Sequence, residues 1–455
     1  MSLVITVVIP FALLLSVVLI KKIPYIGGNV KWALLVGAVA SLLFGGVYSP
    51  AKWVMSFIDG LNRLSWVMAL AIVGGIYAET QSKIGTMSTV LESCRSAFGR
   101  TPKGLICVVM FVLALSGSLL GDAVASSVVI GVLVIKNLDE LELTPEQICA
   151  TIVMGSALGS IMPPISQAVI MASGLVGLDA AGGDSAINWS YITVGVSFVI
   201  CCVFVCAVFI KVKQIPEDLI PKESAGQILR KNWKSLIPLV VLMLIVIFRS
   251  GFGMDVLKYL DPIFLPISKI PVISGLNFAI CKALYITLVI CLFYKEVRSS
   301  FGQIVVKGLK NVMPCVGVQI CASFLIGAFY AAGQVEAVKE FASNLDPNSL
   351  KIGGAVAMCL MGMVTGSQSS AQSVIFSLFG PALLVAGVPA VNAAVAGAHL
   401  AMAGQGMPPA DLITFVVAGL VGGVVGKEVD MMKSMIYSSF MCLCFIAVAF
   451  IFMYI

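Results

Sequence analysis

The sequence predicts an all-α protein that crosses a membrane many times. Its residues are 60% hydrophobic and only 11% charged, and the mean hydropathy is +1.07. A soluble domain carries about 25% charged residues, so this composition excludes a soluble enzyme, a disordered chain and a nucleic-acid-binding module. The long continuous apolar runs exclude a β-barrel, whose strands alternate over ~10 residues. Because one span needs about 20 apolar residues, the 455 residues allow roughly ten to twelve membrane elements.

The apolar runs predict ten full spans. The first run is too long for a signal peptide, and its nearest basic residues, Lys21 and Lys22, follow it. We therefore expect an uncleaved first span with its N-terminus outside. The predicted spans cover residues 2–20, 29–47, 64–79, 147–178, 189–210, 235–249, 272–294, 313–333, 391–426 and 432–455.

Two further apolar stretches, 103–136 and 351–386, are interrupted by small polar residues. Each is about 35 residues long, which is too long for one span. We interpret each as a re-entrant helical hairpin that enters to the middle of the membrane, turns and leaves on the same side. The predicted turns are residues 116–118 and 365–367.

The charge distribution predicts the orientation of these elements. The net charge is +6, and threading the spans in order places five basic segments on one side. A Lys/Arg excess marks the cytoplasmic side, so the two hairpins enter from opposite sides. The five segments are residues 21–31, 83–103, 211–234, 295–310 and 427–433.

The order of elements predicts an inverted repeat. Residues 29–210 read as span, span, hairpin, broken span and span, and residues 272–455 repeat that order. Residues 1–28 form a first scaffold span, and residues 211–271 form a cytoplasmic linker with an extra scaffold span. The fold class is therefore two inverted-topology repeats, each with a re-entrant hairpin and a broken transmembrane helix.

Both broken spans, 147–178 and 391–426, contain a Met-Pro-Pro sequence, at 162–164 and 407–409. Proline removes a backbone donor and disfavours helix at the residue before it. Carbonyls freed at such a break, with nearby hydroxyls, suit a cation such as Na⁺, and half-helix N-termini suit a carboxylate. Four such termini meeting between two repeats are typical of a secondary transporter. The alternative is that the small residues only permit kinks and close helix packing.

Two stretches before spans, 51–62 and 299–312, carry one apolar stripe at helical spacing. Such helices lie in the plane of the membrane interface. We expect interfacial helices here, with ordinary loop helices as the alternative.

Three ionisable residues within apolar segments are functional candidates. Two roles are open for Asp122 and Asp411, which are binding a cation and capping a helix. Two are open for His399, the only histidine, which are coupling to protons and packing in the core. No P-loop and no His-Glu-x-x-His sequence is present, so ATP hydrolysis and zinc-dependent hydrolysis are excluded. A channel remains a rival class, although it needs no inverted half-helices.

Four stretches resemble the large membrane subunit of TRAP (tripartite ATP-independent periplasmic) transporters, within the ion transporter superfamily of carboxylate carriers. The resemblance implies uptake of an organic acid, a C4-dicarboxylate or a sugar acid, driven by Na⁺ through an elevator movement. It also implies the inner membrane of a bacterium, a small four-span membrane subunit and a periplasmic binding protein. No cofactor beyond the coupling ion is expected. The stretches are LALSGSLLGDAVASSVVIG (113–131), MGSALGSIMPPISQAVI (154–170), TGSQSSAQSVIFSLFGPAL (365–383) and AGQGMPPADLITFVVAGLVGG (403–423), with GRTPKG (99–104) before the first.

The resemblance also implies site residues, because the family's sodium sites pair each hairpin turn with the facing break. The implied cation ligands are Ser116, Gly117, Ser118, Gly159 and Met162 in the first half and Thr365, Gly366, Ser367, Gly404 and Met407 in the second, to which we add Asp411. The candidate substrate-binding residues are Asp122, Ser126, Pro163, Ser166, Gln167, Gln368, Ser369 and Pro408.

One position departs from the family pattern. At the second break the family usually reads closer to Thr-Pro-Pro-Val-Gly, whereas this chain has Met407-Pro408-Pro409-Ala410-Asp411. The alternative function is a stand-alone Na⁺- or H⁺-coupled carboxylate carrier of the same superfamily.

Overall fold

The structure is a computed structural model, and its described part is helical without a β-strand. The described residues are 4–20, 22–212, 214, 223–252, 256–409 and 411–455. Most of the predicted linker's centre, residues 215–222, lies outside them. The helices of the first half are α1 (Ile9–Leu19), α2 (Val30–Phe44), α3 (Pro50–Ile84), α4 (Thr86–Phe98), α5 (Pro102–Leu120), α6 (Ala123–Asp139), α7 (Pro145–Ile161), α8 (Gln167–Leu175) and α9 (Ala180–Val208).

After the connecting helix α10, the second half contains helices of similar lengths in the same order. A π-helical turn at residues 372–376 joins α17 to α18, so those helices form one continuous arm. The helices are α10 (Ala225–Phe252), α11 (Asp261–Ser268), α12 (Ala279–Cys291), α13 (Lys295–Arg298), α14 (Phe301–Ala331), α15 (Gln334–Ser343), α16 (Pro347–Thr365), α17 (Gln368–Ala371), α18 (Ser377–Val385), α19 (Ala390–Gln405), α20 (Leu412–Val425) and α21 (Met431–Tyr454).

Five described helices are long and apolar enough to cross a membrane unaided, and a sixth qualifies if the bent helix α14 counts as one span. The predicted broken spans fall below that length because α7 and α8, and likewise α19 and α20, are separated by their proline breaks. The five are Pro50–Ile84, Pro102–Leu120, Gly182–Val208, Pro347–Thr365 and Met431–Tyr454.

Helices α3 and α14 pack closely along their length and run antiparallel. Gly60 lies so close to the backbone of Ser323 that a methyl group at Gly60 would overlap it. Further along the pair, a methyl group at Gly308 would lie 2.8 Å from the carbonyl oxygen of Gly75. Since contacts pair rising numbers on α3 with falling numbers on α14, the two helices form an antiparallel seam. We call this contact the α3–α14 seam.

The helices form two groups around that seam. The frame consists of α1, α2, α3, α10, α12 and α14, in which α2 packs on α14 and α12 packs on α3. The core consists of α5–α9 and α16–α21, where α5 packs on α7, α16 on α19, and α6 on α20. Two short helices connect the groups, because α4 contacts both α10 and α5, and α15 contacts both α14 and α18.

The predicted interfacial helices at 51–62 and 299–312 form the first parts of longer helices. Residues 51–62 are the first part of α3, which continues without interruption to Ile84. Residues 301–314 are the first part of α14, which bends by 45° before residue 316. Packing along the α3–α14 seam explains the difference, since close glycine contacts hold both stretches against another helix. The short polar-apolar helices between frame and core are α4 and α15, which the sequence analysis did not predict.

The first hairpin turn lies four residues later than predicted. Residues 116–118 belong to the end of helix α5, and the chain turns at Gly121, whose φ of +64° favours glycine. Asp122 then caps α6. In the second hairpin the turn lies where predicted, at Gly366 with φ +60°. The prediction failed in the first half because Ser-Gly-Ser is compatible with a helix that packs closely against another.

Candidate functional site

The two halves present the same local features at a constant spacing. Gly366 at the second hairpin turn lies 245 residues after Gly121 at the first, and this difference defines the spacing. Turns, helix caps, close helix contacts and proline breaks all recur at this interval, so the repeat extends to backbone detail. Other matched pairs are Ala114 with Cys359, Gly117 with Gly362, Asp122 with Ser367, Gly159 with Gly404, Met162 with Met407, Pro163 with Pro408, and Ser166 with Asp411.

In the first half, α5 crosses α7 through a pair of glycines. A methyl group at Gly117 would lie 2.7 Å from the Ser156 carbonyl oxygen and 2.8 Å from Gly159 Cα. A methyl group at Gly159 would overlap the backbone of Ala114. Only glycine allows this approach, which we call the first crossing. It brings the predicted cation residues Gly117 and Gly159 into contact.

In the second half, α16 crosses α19 in the same way. A methyl group at Gly362 would lie 2.6 Å from the Gly404 carbonyl carbon. A methyl group at Gly404 would lie 2.7 Å from the Cys359 carbonyl oxygen. We call this contact the second crossing. Gly404 was predicted, whereas its partner Gly362 was not.

Hydrogen bonds attach the first hairpin to the first break. The Ser118 hydroxyl donates to the Pro163 carbonyl, and the Ile165 amide donates to the Ser118 carbonyl at 3.1 Å. Met162 ends helix α7, and its amide donates to the Gly159 carbonyl at 3.0 Å. The predicted residues Ser118, Met162 and Pro163 are therefore adjacent.

Two hydroxyls at the first crossing are buried without a hydrogen-bond partner among the described residues. Ser116 lies on α5 and is 1% exposed, and Ser156 lies on α7 and is fully buried. A buried hydroxyl without a partner costs free energy. The matched residues of the second crossing, Met361 and Ala401, carry no hydroxyl. The first crossing therefore presents oxygen atoms that a bound cation would satisfy.

The second hairpin tip lies beside the end of α19. The Gln368 amide donates to the Gln405 side-chain oxygen at 2.8 Å. Ser367 caps α17 through the Ser370 amide, and the Thr365 hydroxyl donates to a carbonyl in its own helix. The predicted residues 365–368 thus lie close to the second break, although none of the hydroxyl contacts crosses to it.

The two breaks differ in exposure. Pro163 and Pro164 are buried, whereas Pro408 is half-buried and Pro409 is exposed. Both Pro-Pro peptide bonds are cis. The first break is enclosed by its hairpin, and the second is open on one side.

A cavity adjoins the first hairpin tip, with about 60 Å³ of space for the centres of water molecules. Asp122, Ser116 and Gln167 line it from the core, while Glu79 and Asn311 line it from α3 and α14. That volume holds several waters. The cavity lies between core and frame, and three of the predicted site residues meet there.

Asp122 caps helix α6. One of its carboxylate oxygens accepts a hydrogen bond from the Ala125 amide at 2.7 Å. The side chain is half-buried and reaches the cavity. It therefore serves as a cap and also presents a carboxylate to the space between core and frame.

Asp411 is fully buried and caps helix α20. Its oxygens accept hydrogen bonds from the amides of Ile413 (3.0 Å) and Thr414 (3.2 Å) and from the Thr414 hydroxyl (2.5 Å). The carboxylate is thus stabilised by its own helix, as expected for a cap. These contacts are those of a helix cap, which is one of the two roles expected for Asp411.

The other predicted substrate residues are distributed around the two breaks. Ser166 caps α8, and the Gln167 side-chain oxygen lies 3.4 Å from a side-chain nitrogen of Gln319 on α14. The Ser126 hydroxyl donates to the Leu113 carbonyl within its own hairpin, and the backbone carbonyl of Ser369 accepts a hydrogen bond from the Ser373 hydroxyl. The Ser126 hydroxyl is therefore occupied locally.

His399 is packed in the core. It is fully buried, and its ring nitrogens lie 3.1 Å from the Thr193 hydroxyl and 2.8 Å from the Val395 carbonyl. Its ring also contacts Phe445 edge to face. Both nitrogens have uncharged partners. The surroundings of His399 are therefore those of a histidine packed in the core.

Sequence reasoning missed several residues at this site. Gly121, Gly362 and Ser156 were not singled out, nor was Gln372, whose side-chain nitrogen donates to the Ala168 carbonyl at 3.0 Å. That bond joins the second hairpin arm to the half-helix after the first break. Aligning the halves at 245 residues, instead of pairing Gly117 with Gly366, reveals Gly121 and Gly362.

Comparison with known proteins assigns the family. Residues 17–454 match the family described as "Tripartite ATP-independent periplasmic transporter, DctM component". No curated protein matches significantly. A solved structure, "Crystal structure of the Alcanivorax borkumensis YdaH transporter reveals an unusual topology", shares the fold at 14% identity with a TM-score of 0.54, covering 88% of this chain and 87% of that one. With the family match covering nearly its whole length, the chain belongs to the DctM family, the large membrane component of a class of secondary transporters, and is not an enzyme.

Proposed function

We propose that the chain imports a small organic anion, driven by a Na⁺ gradient, as the large permease subunit of a tripartite transporter. The observation that carries this proposal is the matched pair of crossings, each beside a hairpin turn and a proline break. Such broken elements are tolerated in a membrane where they line a site.

The first crossing is the better-equipped cation site. Ser116 and Ser156 supply two buried hydroxyls, and the ends of α5 and α7 supply carbonyl oxygens that no longer continue a helical ladder. Oxygen ligands of this kind suit a hard cation. For the second site the proposal retains Thr365, Gly366 and Met407, which lie at the corresponding helix ends.

The anion would be recognised without a basic side chain. No Lys or Arg occurs within residues 116–122, 159–167, 362–368 or 404–411. The N-termini of α8 and α17, which are capped by the neutral residues Ser166 and Ser367, lie at the first break and the second turn, and helix N-termini favour anions. The N-termini of α6 and α20 are already capped by the carboxylates of Asp122 and Asp411. Carboxylates such as C4-dicarboxylates or sugar acids are the substrate class that fits these dipoles and the amides of Gln167 and Gln368.

An elevator movement of core against frame is supported by the packing. The frame meets the core through α3 and α14 and through the connecting helices α4 and α15. The matched helices α3 and α14 run antiparallel, which is the relation that an inverted repeat produces. In this proposal the core moves past the α3–α14 seam.

TRAP transporters work with a small membrane subunit and a periplasmic binding protein, and we propose both as partners in the inner membrane of a bacterium. A stand-alone carrier would transport without them. Proteoliposomes with and without a co-expressed small subunit and binding protein separate these arrangements, because only the tripartite form depends on both additions.

Binding of ²²Na⁺ to the purified chain tests the cation site directly and needs no knowledge of the substrate. We expect Ser156→Ala to weaken Na⁺ binding by about tenfold, on the scale of ~1.4 kcal/mol, without loss of stability. Removing an unpartnered hydroxyl costs little when no ligand uses it.

Ser160→Ala is the matched control, because that hydroxyl lies on the same helix and donates to the Ala157 carbonyl at 3.0 Å. Unchanged Na⁺ binding in Ser156→Ala would remove the first crossing from the cation site. Conductance through the reconstituted chain without saturation would instead favour a channel.

A further inference from the structure

A wide groove lies where helix α3 ends and helix α4 begins. Its volume is about 840 Å³, and it is open to the outside. Ile84 and Gly85 line it, together with the early turns of α10 and residues at and just after the end of α12. Helix α3 is apolar and long enough to span a membrane. A groove at its C-terminal end therefore lies at a membrane surface, and no residue of either crossing or either break lines it.

The groove carries charges of both signs. Lys231 and Lys234 reach it from α10 and Lys295 from α13, while Glu92 lines it from α4 and Glu296 from α13. Three cationic and two anionic side chains thus surround one space. A ligand that matches them needs a negative group and a positive group close together.

Most of these charges have no partner at ion-pair distance within the described part of the chain. Lys231 lies 3.8 Å from Glu223, and both side chains are more than half exposed. Lys234, Lys295 and Glu296 form no described ion pair within 4.0 Å. The groove therefore offers ammonium and carboxylate groups to a ligand.

Aromatic side chains flank the charges. Trp233 is 54% exposed and Phe293 is 77% exposed, although both border the groove. The Tyr294 hydroxyl donates to the Lys234 carbonyl and so holds α10 against the end of α12. Exposed aromatic residues at the end of a spanning helix are typical of the headgroup level of a membrane.

We propose that this groove binds a phospholipid whose headgroup carries a phosphate and a primary ammonium, as an ethanolamine phospholipid does. Lys234 and Lys295 would contact the phosphate, and Glu92 and Glu296 would contact the ammonium. The acyl chains would lie along the exposed ring of Phe293. This inference does not depend on the proposed transport function.

The mixed charge decides between lipid classes. Basic pockets at the cytoplasmic side of membrane helices bind anionic headgroups. Here a purely anionic headgroup would pair with the lysines but would offer no cation to the carboxylate of Glu296, and Glu92 would have only Arg95 of its own helix nearby. A trimethylated headgroup keeps the positive charge but has no N–H to donate to these carboxylates.

Native mass spectrometry of the full chain, titrated with phosphatidylethanolamine, phosphatidylcholine or phosphatidylglycerol, tests the proposal. We expect phosphatidylethanolamine to bind most tightly. Lys234→Ala with Lys295→Ala should weaken it by about fivefold per lysine, since each basic residue near a membrane surface contributes about 1 kcal/mol. Glu92→Gln with Glu296→Gln should remove the preference over phosphatidylglycerol.

The control variants are Lys310→Ala and Glu340→Gln, which remove exposed charges outside the groove. Tighter binding of phosphatidylglycerol by the wild-type chain would overturn the choice of headgroup. Equal binding of all three lipids, or equal loss in the control variants, would overturn the site. The wild-type titration gives this answer even if a double variant fails to fold.

Discussion

The first and second breaks have the same backbone features but different side chains. Both follow a glycine crossing, and their caps, Ser166 and Asp411, occupy matched positions. At the hairpin tips this order is reversed, because the acid Asp122 caps the helix at the first tip and Ser367 caps the helix at the second. Among the caps at the hairpin tips and breaks, each half therefore contains one acid, at the hairpin tip in the first half and at the break in the second.

The hydroxyl groups differ as well. Ser116 and Ser156 have no hydrogen-bond partner among the described residues at the first crossing, where the second has Met361 and Ala401. The first break is buried, and the second is partly exposed. The matched positions thus both carry the glycines that permit close approach, whereas their polar atoms differ. In the proposed Na⁺-driven mechanism, the two crossings would therefore contribute unequally to ion binding.

The largest expected effect tests whether the crossings are equivalent. Gly117→Ala and Gly362→Ala each place a methyl group within 2.7 Å of backbone atoms. Because backbone cannot yield as a side chain can, each should cost about 1–3 kcal/mol of stability and abolish Na⁺-dependent uptake. Thermal unfolding and proteoliposome uptake measure the two effects.

Gly353→Ala is the matched control for this pair, since Gly353 lies on the same helix as Gly362 and nothing lies within 4 Å of its added methyl group. Normal uptake in one crossing variant but not the other would show that the crossings are not equivalent.

A smaller effect is expected at the second hairpin turn. Gly366→Ala forces a side chain into the left-handed region, which costs roughly 1–2 kcal/mol. Gly366→Asn should recover part of that loss, because asparagine tolerates this conformation. The ratio of uptake in the two variants measures how much of the effect is backbone strain, and equal defects would indicate that side-chain volume matters instead.

Asp411→Asn separates capping from cation binding at the second break. Asparagine is also a good cap, and both carboxylate oxygens are already bonded within helix α20. We therefore expect apparent Na⁺ affinity to stay within about threefold of wild type, well under the ~1.4 kcal/mol of a tenfold change. An Na⁺ titration of uptake that shows tenfold weakening would instead assign the charge to the cation site.

The smallest effect is expected at His399. Its nitrogens contact the Thr193 hydroxyl and the Val395 carbonyl in a fully buried position, where an added charge would be costly. His399→Gln should therefore leave the shape of uptake against pH unchanged between pH 6 and 8. A displaced pH profile in this variant alone would restore proton coupling through His399.

The sequence was sufficient for the all-helical membrane fold and for the positions of the two proline interruptions. Each Pro-Pro pair, at 163–164 and 408–409, interrupts a helix because proline lacks a backbone N–H and clashes with the preceding turn. This effect depends only on the local sequence, so it could be predicted. Gly121 was missed because a glycine's φ depends on its surroundings. Helix α4 was missed because its contacts with α5 and α10 are tertiary. Whether Asp411 serves a cation or caps a helix is a question of neighbours, which a linear sequence does not show.

The α3–α14 seam has a consequence for biogenesis. Gly60 meets the backbone of Ser323, 263 residues later in the chain (323 less 60). At about 5–20 residues per second, a ribosome needs roughly 13 to 50 seconds to supply that partner. During this interval the glycine face of α3 is inserted but unmatched. Truncated chains that stop before residue 301 should therefore be the forms that cellular quality control retains and degrades.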